Sequence, residues 1–264
     1  MKIDGAVAVV TGAGSGIGKS IAMALATAGA RVIAGDIDPS AADRTAELIG
    51  ARAAGVGADA SSVHGIAELL GAAGQFGPVD IYVANAGITG QPGLGDDEAE
   101  WDRVIEVNLR GHIRAAKALV PQWLERGAGH FVAVASAAGL LTQIGGAPYA
   151  VTKHAAVGFA EWLAVTYGDR GIGVSCVCPL GVDTPLLRGM IDAQDATTRT
   201  AGAAVTRSGA VLSADDVAAC VVDAVAAGTF LVLPHPEVLA MYRNKSADYQ
   251  RWISGMQRYR RALE

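Results

Sequence analysis

The stretch that decides the fold runs from Ala6 to Asp36 and reads AVAVVTGAGSGIGKSIAMALATAGARVIAGD. Its first five residues are apolar and predict a strand, which the glycine-rich segment Thr11–Gly18 follows. Ile21 and Leu25 then have the four-residue spacing of one helix face. The apolar run that ends at Asp36 predicts a second strand. This order of strand, glycine turn, helix and strand is typical of a parallel α/β sheet.

Three glycines of the turn have separate tasks if the segment binds a nucleotide. Gly12 permits a tight turn, Gly16 lets the backbone approach a pyrophosphate, and Gly18 allows the helix to pack closely. Unpaired N–H groups at the start of the helix would bind the phosphates. The spacing is GxxxGxG rather than GxGxxG. Because a glycine cluster alone also fits a plain structural turn, the interpretation needs a second motif.

Asp36 is that second motif, because it ends the next strand eighteen residues after Gly18. An acid at this point can accept hydrogen bonds from the ribose hydroxyls of adenosine. It would also repel a 2′-phosphate, and neither Ser15 nor Ile37 supplies a compensating positive charge. The sequence therefore predicts NAD as the cofactor, with NADP disfavoured. The alternative is a plain loop acid beside Asp38.

Beyond Asp36, strand-like apolar runs alternate with helical patterns. Right-handed βα crossovers of this kind build a parallel sheet with helices on both faces. We expect a single-domain, doubly wound (Rossmann-type) α/β fold over residues 1–264 with a seven-stranded parallel sheet. The predicted strands are 6–10, 31–36, 53–58, 79–84, 130–135, 172–177 and 229–233. After the first, the predicted helices are 39–50, a Ser61-capped helix to about 73, 98–109, 113–125, 148–170 and 213–227.

Ligands of such sheets bind at the carboxyl ends of the strands, where several polar residues fall. Asp59 closes the third strand, and the turn Asn85-Ala86-Gly87 follows the fourth. The Asn85 amide could tie neighbouring strands together, although a plain turn fits equally well. Asn108 lies inside a helical pattern, where its side chain competes for backbone groups. It indicates a local distortion of the helix or a solvent-facing residue at a helix junction.

The segment Ser136–Lys153 carries the side chains best suited to chemistry. Tyr149 and Lys153 are four residues apart, which places them one turn apart on the same helix face. Ser136 lies thirteen residues before Tyr149, at the end of the predicted fifth strand. A hydroxyl, a phenol and an ammonium group could therefore meet around one reacting oxygen.

Two segments after the sixth strand have their own composition. Residues 185–208 are rich in Ala, Thr, Gly, Asp and Arg and begin with an apolar cluster, which predicts a mobile lid over an apolar ligand. Residues 236–264 predict a helical tail with aromatic side chains at three- and four-residue steps. That aromatic area should be buried against the body of the protein or a neighbouring subunit.

The composition restricts the class of protein. Hydrophobic residues make up 51% of the chain and charged residues 18%, so a large core is available. The formal net charge of -5 offers no attraction for nucleic acid or an anionic membrane surface. The N-terminal segment lacks the pattern of a signal peptide, no apolar run reaches the length of a membrane span, and the three cysteines lack CxxC spacing. We expect a cytoplasmic enzyme with reduced cysteines, no nucleic-acid partner, no membrane association and, since its five histidines lack ligand spacing, no metal.

The chain resembles the short-chain dehydrogenase/reductase family over nearly its whole length. The resemblance depends on TGAGSGIG at 11–18, the NAG at 85–87, Ser136 and YAVTK at 149–153, in that order. It implies that Tyr149 is the general acid/base, that Ser136 hydrogen-bonds the substrate oxygen, and that Lys153 holds the nicotinamide ribose. It further implies that Asn108 anchors a proton relay through water to Lys153. Other implied roles are an adenine contact for Asp59 and a nicotinamide carboxamide contact for Thr184.

The remaining cofactor contacts are expected next to these motifs. They are Ser15, Ile17, Ile37, Ala60, Asn85, Ala86, Gly87, Pro179 and Val182. One position departs from the family pattern, because Leu180 rather than glycine follows Pro179. Leu180 should lie near the nicotinamide, where it either shapes the face of hydride transfer or narrows the pocket. The other predicted pocket residues are Leu140, Leu141, Gln143, Leu186, Leu187 and Met190.

The chemistry has a physical basis in the charges. A phenol has an ordinary pKa near 10, so Tyr149 is a poor base unless a positive charge stabilises its phenolate. Lys153 and the oxidised nicotinamide would supply that charge. In oxidation, Tyr149 would take the alcohol proton while hydride leaves the same carbon for the cofactor, and reduction reverses these steps. The predicted function is an NAD-dependent oxidoreductase of an apolar or cyclic secondary alcohol or ketone.

Alternative functions remain open at this point. A non-catalytic nucleotide sensor or scaffold could use the same fold, because a fold does not define an activity. An epimerase or dehydratase could use the same site. The resemblance also implies a homotetramer or homodimer built partly on the helices at 108–125 and 149–170.

Overall fold

A computed structural model describes residues 1–95 and 97–263. Residues 96 and 264, the second of which is the last residue of the predicted tail, lie outside the described residues. The strands are β1 Val7–Thr11, β2 Arg31–Asp36, β3 Ala53–Gly57, β4 Ile81–Ala84, β5 Gly129–Val134, β6 Ile172–Val177, β7 Gly181–Val182, β8 Val211–Leu212 and β9 Leu231–Val232.

Helices alternate with these strands along the chain. They are α1 Gly16–Thr27, α2 Pro39–Ile49, α3 Val63–Ala73, α4 Glu98–Ile105, α5 Gly111–Arg126, α6 Ala137–Leu140, α7 Ala147–Tyr167, α8 Pro185–Ile191, α9 Ala196–Thr206, α10 Ala214–Ala227, α11 Glu237–Ala247 and α12 Tyr249–Leu263. The predicted bounds of β2 and β6 agree with the structure residue for residue, and most other bounds differ by one to three residues.

Within the described residues, the main sheet has seven strands in the order β3-β2-β1-β4-β5-β6-β9, and every neighbouring pair is parallel. This is the predicted doubly wound fold. The strand order reverses between β1 and β4, because the chain builds outward from β1 to β3 and then returns to the other side. Ligand clefts of such sheets form at this switch point, outside the carboxyl ends of the strands.

Helices bury both faces of the sheet. On one face, Leu25 of α1 and Val221 of α10 belong to one apolar cluster with the strand side chains. On the other face, α3, α5 and α7 contribute Leu69, Trp123 and Leu163 to a second cluster. All five side chains are at most 2% exposed, and burying a side chain of this kind stabilises the fold by about 1.5–3 kcal/mol. The sheet is thus a rigid platform for the side chains that leave its carboxyl edge.

The predicted break at Asn108 is a helix distortion. A π turn, Glu106–Arg110, lies between α4 and α5. The Asn108 side chain is fully buried, which excludes the alternative of a solvent-facing residue. Single π turns inside helices occur frequently at functional sites, so this position needs a structural explanation.

Three local details differ from the sequence prediction. The cap of α3 is Ser62, whose Oγ accepts from the N–H of Gly65 at 2.9 Å, whereas Ser61 hydrogen-bonds to the carboxylate of Asp59. The short helix α6 directly follows Ser136 and was not predicted. A small parallel pair, β7 with β8, was also not predicted, because two-residue strands have no detectable period.

The lid, residues 185–208, contains α8 and α9, and it leaves and re-enters the body at the β7–β8 pair. The N–H of Asp183 donates to the carbonyl of Leu212 at 2.9 Å and closes this point. The tail, described here to residue 263, contains α11 and α12. The Tyr259 hydroxyl of α12 donates to the carbonyl of Ala204 in the lid at 2.9 Å, so the aromatic tail packs on its own chain.

Candidate active site

The glycine turn has the backbone geometry that the sequence predicts. Gly12 and Gly16 have φ values of +63° and +51°, a region that residues with a side chain rarely adopt. Gly18 lies against the turn itself, because an added Cβ there would overlap the Gly12 carbonyl oxygen and the amide nitrogen of Asn85. The start of α1 is thereby drawn onto β1, and its free N–H groups face the switch point.

The turn after β4 is joined to the turn after β1. The Asn85 amide donates to the carbonyls of Thr11 at 2.8 Å and Gly12 at 3.3 Å. In return, the Thr11 hydroxyl accepts from the N–H groups of Asn85 and Ala86 and donates to the carbonyl of Val83. Thr11 is therefore a positioning residue that the sequence analysis quoted but gave no role. These bonds fix the two strands on either side of the switch point.

Asp36 projects from the end of β2 with its carboxylate held by backbone groups. One oxygen accepts from the N–H of Gly14 at 2.8 Å and the other from the N–H of Asp38 at 3.0 Å. Both bonds leave further lone pairs on the carboxylate. A carboxylate oriented in this way can still accept hydrogen bonds from two neighbouring hydroxyls.

The cleft at the switch point has a volume of about 460 Å³. It extends from the glycine turn and Asp36 at one end, the nucleotide end, to Tyr149 and the lid at the other, the substrate end. The structure brings together here the predicted residues Gly12, Ser15, Gly16, Ile17, Asp36, Ile37, Asp59, Ala60, Asn85, Ala86, Gly87, Ser136, Gln143, Tyr149, Lys153, Pro179, Leu180, Val182, Thr184, Leu186, Leu187 and Met190.

Ser136 and Lys153 flank Tyr149 in the cleft. The Ser136 hydroxyl oxygen caps α6 by accepting from the N–H of Ala138 at 3.1 Å, so its own hydrogen remains available to donate. The ammonium of Lys153 is buried, donates to the carbonyl of Val134 at 2.9 Å, and lies 5.6 Å from the centre of the Tyr149 ring. One hydrogen of the ammonium is thus used by the protein, and two are available to a ligand.

Burial changes the acidity of this group. It raises the pKa of Tyr149, and the neighbouring Ser136 hydroxyl opposes that rise. Burial also lowers the pKa of Lys153 to about 8. Tyr149 is therefore protonated at neutral pH and is ready to act as an acid. To act as a base it needs added positive charge, in agreement with the charge requirement argued from the sequence.

Asn108 lies behind the cleft rather than on its surface. Its Oδ1 accepts from the N–H of Ile88 at 2.8 Å, and its Nδ2 donates to the carbonyl of Ile88 at 2.8 Å and to the hydroxyl of Thr152 at 3.0 Å. The amide thus joins the π turn to the loop after β4 and to α7 beside Lys153. A Cβ on Gly87 would lie 3.3 Å from Asn108 Oδ1 and 3.4 Å from Lys153 Nζ, so both groups lie beside the same position of the loop after β4.

Two predicted pocket residues lie elsewhere. Leu140 is 4% exposed and belongs to the core beneath the sheet, and Leu141 lines a separate groove under the tail. The reason is α6, which turns the chain inward directly after Ser136. Their carbonyl oxygens both accept from Lys245 of α11. In contrast to the prediction, Leu140 and Leu141 do not line the cleft, whereas Gln143 does.

The segment with Leu180 is held by a histidine that sequence reasoning missed. His235 is 1% exposed, and its Nδ1 accepts from the N–H of Leu180 at 3.1 Å. That bond leaves the hydrogen on Nε2, which lies 3.1 Å from the carbonyl oxygens of Gly181 and Ala210. His235 thus fixes Leu180 at the cleft and joins β7 to the end of the lid.

Further residues complete the cleft walls without having been predicted. Val107 and Arg103 come from α4 and the π turn, Ile88 from the loop after β4, and Val205 from the lid. Arg103 forms two hydrogen bonds of 2.7 Å with the carboxylate of Glu100, so its charge is paired. Their contribution depends on tertiary packing, and no local pattern could have indicated it. Thr184 caps α8 through its Oγ1, and its methyl group faces Gly16.

A sheet of this order, with a glycine turn at one end of its cleft and a serine, a tyrosine and a lysine at the other, defines a dinucleotide-binding dehydrogenase or reductase. A family model described as short chain dehydrogenase matches residues 6–195. The chain belongs to the short-chain dehydrogenase/reductase family, whose enzymes act on hydroxyl or keto groups.

Known relatives cover almost the whole chain. A 1-deoxy-11-beta-hydroxypentalenate dehydrogenase of Streptomyces exfoliatus is 34% identical over 96% of this chain and 92% of its own length. The crystal structure of a short chain dehydrogenase/reductase from Burkholderia phymatum in complex with NAD has a TM-score of 0.85 at 32% identity, covering 95% of this chain and 96% of that one. A 3-ketoacyl-(acyl-carrier-protein) reductase from Brucella melitensis, complexed with NADH, has a TM-score of 0.78 at 31% identity, covering 88% and 98%.

Within 1–95 and 97–263, no group of three or more His, Cys, Asp or Glu side chains is placed to hold a metal ion. Among the helices of the same residues, none combines the length and apolarity that a membrane span requires. The cytoplasmic location and the absence of a metal stay predictions.

Proposed function

We propose that the protein is an NAD-dependent oxidoreductase that transfers hydride between the nicotinamide and a secondary alcohol or ketone. The observation that carries the proposal is the convergence of Ser136, Tyr149 and Lys153 in a cleft whose other end holds the glycine turn and Asp36. The glycine turn and Asp36 would hold a nucleotide, and Ser136, Tyr149 and Lys153 would act on the substrate. The elements of a hydride transfer are then all in one site.

The preference for NAD follows from the charges at the nucleotide end. The carboxylate of Asp36 is oriented toward the cleft by two backbone N–H groups, and it would bind ribose hydroxyls and repel a phosphate. Arg103 lines the cleft, but its guanidinium is paired with Glu100. The solved relatives described with NAD and with NADH support the same choice. Asp59 and Ala60 would contact the adenine, and Pro179, Val182 and Thr184 the nicotinamide.

When bound, NAD supplies the group that accepts or donates hydride. In reduction, the protonated Tyr149 gives its hydroxyl proton to the substrate oxygen, while the Ser136 hydroxyl donates a hydrogen bond to the same oxygen. In oxidation, Tyr149 takes the alcohol proton, and the nearby charge of Lys153 stabilises the phenolate. The two remaining ammonium hydrogens of Lys153 would be available to hold the ribose. Asn108, whose side chain is committed to Ile88 and Thr152, fixes the backbone from which a water relay to Lys153 would start.

The substrate class follows from the walls at the substrate end. Leu180, Leu186, Leu187 and Met190 present apolar surface, and the amide of Gln143 is a polar contact on this side. These walls suit an apolar or cyclic secondary alcohol or ketone. The Streptomyces relative is named as a dehydrogenase of a hydroxypentalenate, and that name supports this class over a small polar alcohol.

The decisive experiment removes the phenol hydroxyl alone. Tyr149→Phe should lower kcat about 10³-fold or more with NAD and the best substrate of an alcohol and ketone panel, because no group replaces the proton donor. Binding of NADH, measured by fluorescence titration, should change less than about twofold, since the ring itself remains. Tyr167→Phe, at the far end of the same helix, is the matched control and should keep full activity.

Retained turnover in Tyr149→Phe would contradict the proposed mechanism. A wild-type protein that binds NADH tightly but turns over no member of the panel would instead support a sensor or scaffold. Product analysis by mass spectrometry separates hydride transfer from epimerisation or dehydration, because only the first changes the redox state of the substrate.

We further propose that the enzyme is a homodimer or homotetramer. On the long helix α7, the side chains of Val151, Trp162 and Val165 are more than half exposed. A patch of exposed apolar side chains on one helix face is typical of an interaction surface. Burying them against a second copy, together with α5, would remove that exposed surface. Sedimentation analysis would contradict the proposal by finding a monomer at micromolar concentration.

A further inference from the structure

A second buried lysine, Lys245, lies outside the residues that match the family model, which end at 195. It belongs to α11 of the tail and is 6% exposed. Its ammonium donates to the carbonyl of Leu140 at 2.8 Å and to the carbonyl of Leu141 at 2.6 Å. These bonds join residues more than a hundred positions apart in the chain. The tail thus reaches the segment between Ser136 and Tyr149.

The third hydrogen of the Lys245 ammonium also has a partner. His154 Nε2 lies 3.3 Å from the ammonium nitrogen. His154 Nδ1 lies 2.8 Å from the carbonyl oxygen of Ala150, which can only accept, so Nδ1 carries the hydrogen and Nε2 is the acceptor. The rings of Tyr249 and Trp252 lie 5.5 and 5.0 Å from the same nitrogen and add cation–π attraction. The buried charge is therefore fully solvated by protein groups.

The position of these bonds on α6 gives them a consequence for the cleft. The Ser136 hydroxyl caps the N-terminus of this one-turn helix, and Lys245 binds the carbonyls at its C-terminus. The middle of the turn is pressed against α7, because a Cβ on Gly139 would overlap the backbone carbonyl of Lys153. A helix of one turn has almost no stability of its own. Its conformation must come from contacts at its two ends and its packed side.

We infer that Lys245 is a positioning residue for the proposed reaction: it fixes α6 from the tail and thereby sets the place of the Ser136 hydroxyl relative to Tyr149. The inference rests on the proposed function, since it names a residue that positions the Ser136 hydroxyl in that site. A change at Lys245 acts on Ser136 through the backbone of α6 and leaves the glycine turn and Asp36 untouched. Its effect should appear in kcat and be nearly absent from binding of the cofactor.

The test replaces the ammonium and keeps the length of the side chain. Lys245→Met removes three donors but can still pack between Tyr249 and Trp252. We expect kcat to fall about tenfold, the change that a small misplacement of a hydrogen-bond donor produces, with the Kd for NADH within about twofold of wild type. Hydrogen–deuterium exchange of residues 137–144 should become faster while exchange in residues 12–18 stays unchanged. Lys245→Arg, which keeps the charge and the donors, should recover part of kcat.

The matched control is Arg243→Met, which removes an exposed cation from the same helix and should change neither kcat nor exchange. Unchanged kcat and unchanged exchange in Lys245→Met would overturn the inference, as would an equal loss of NADH binding, which indicates a general structural role. If Lys245→Met does not fold, Trp252→Leu weakens the same ammonium site and must show the same selective loss. If the wild type turns over no substrate, the proposed function fails, and exchange in residues 137–144 still decides whether Lys245 fixes α6.

Discussion

The two ends of the cleft are built by different means. At the nucleotide end, the contacts come from turns that directly follow β1, β2 and β4. The backbone geometry of the glycine turn and hydrogen bonds between neighbouring strand ends fix them. At the substrate end, the walls come from elements outside the main sheet, namely α6, the lid and the tail, and bonds between these elements hold them together, such as those of Lys245 and Tyr259. A short motif can specify the first end, whereas only the folded chain specifies the second.

This difference separates the bonds that hold the nucleotide end from those that hold the substrate end. The glycine turn, Asn85 and Asp36 form a unit that does not touch the lid helix α9 or the tail through any hydrogen bond described here for residues 1–95 and 97–263. The substrate end can therefore vary in length and composition without disturbing the bonds that hold the nucleotide end.

The largest effect on cofactor binding is expected where the nucleotide end is most tightly packed. In Gly18→Ala the new methyl group overlaps the Gly12 carbonyl oxygen and the Asn85 amide, so the turn must move. Binding of NADH should weaken about 100-fold, equivalent to about 3 kcal/mol of strain. Fluorescence titration measures the change. Gly71→Ala, in open space on α3, is the matched control and should bind NADH as the wild type does.

If Gly18→Ala keeps its NADH affinity but loses kcat, the separation of the two ends is wrong, because the turn would then act on the chemistry at the substrate end. Loss of both in equal measure would mean that the variant is globally unfolded, and thermal denaturation distinguishes that case.

The next effect is a pH dependence of the free energy of unfolding, which comes from two histidines buried beneath the substrate end. His112 and His130 are 2% and 1% exposed, and burial lowers their pKa values to about 3 and about 4. As the pH falls, each of the two histidines therefore binds a proton at a higher pH in the unfolded chain than in the folded protein. Their contribution to stability is complete above pH 6.5 and is lost toward pH 3–4, by about 1.4 kcal/mol per pH unit for each histidine. Denaturant unfolding between pH 7 and pH 4.5 measures this slope.

His112→Leu should reduce that slope by about 1.4 kcal/mol per pH unit, because it removes one of the two protons taken up on unfolding. Gln122→Leu, which changes an exposed residue of α5 without a titratable group, should leave the slope unchanged. The interpretation fails if His112→Leu has the wild-type slope, since His112 would then be protonated in the folded protein.

The smallest effect is a change of cofactor preference at the nucleotide end. Asp36→Asn keeps an acceptor for a backbone N–H but removes the charge that would repel a 2′-phosphate. The ratio of the Kd values for NADPH and NADH should fall about tenfold, with kcat on NADH nearly unchanged. Titration with both cofactors measures it, and Asp43→Asn on α2 is the control. A wild type that binds NADPH more tightly than NADH would contradict the role of Asp36.

The sequence predicted the sheet and the nucleotide end because their determinants are local. Short runs of mainly apolar residues define β2 and β6, and the glycine spacing defines the turn after β1. Tyr149 and Lys153 were placed correctly on one helix, because residues four positions apart are neighbours on the same helix face. They lie near Ser136 because the carboxyl ends of parallel strands meet at the same edge of the sheet.

The substrate end was predicted less well for physical reasons. The inward turn of Leu140 depends on α6, which is too short to have a detectable helical period. Lys245 and His235 gave no signal, since a lysine or a histidine in a sequence does not reveal that it will be buried against distant carbonyls. Ser61 and Ser62 are adjacent candidate caps, and the choice between them depends on where Asp59 ends its strand.

The point where the lid meets the body has a consequence for how new specificities could arise. The lid begins after β7 and ends at β8, which lie side by side, and His235 joins the Gly181 and Ala210 carbonyls at that point. The ends of the lid therefore stay together whatever lies between them, and lengthening a closed loop adds little entropic cost. Replacing residues 185–208 would therefore alter what is admitted to the cleft, while the β7–β8 pair that joins this segment to the body is retained.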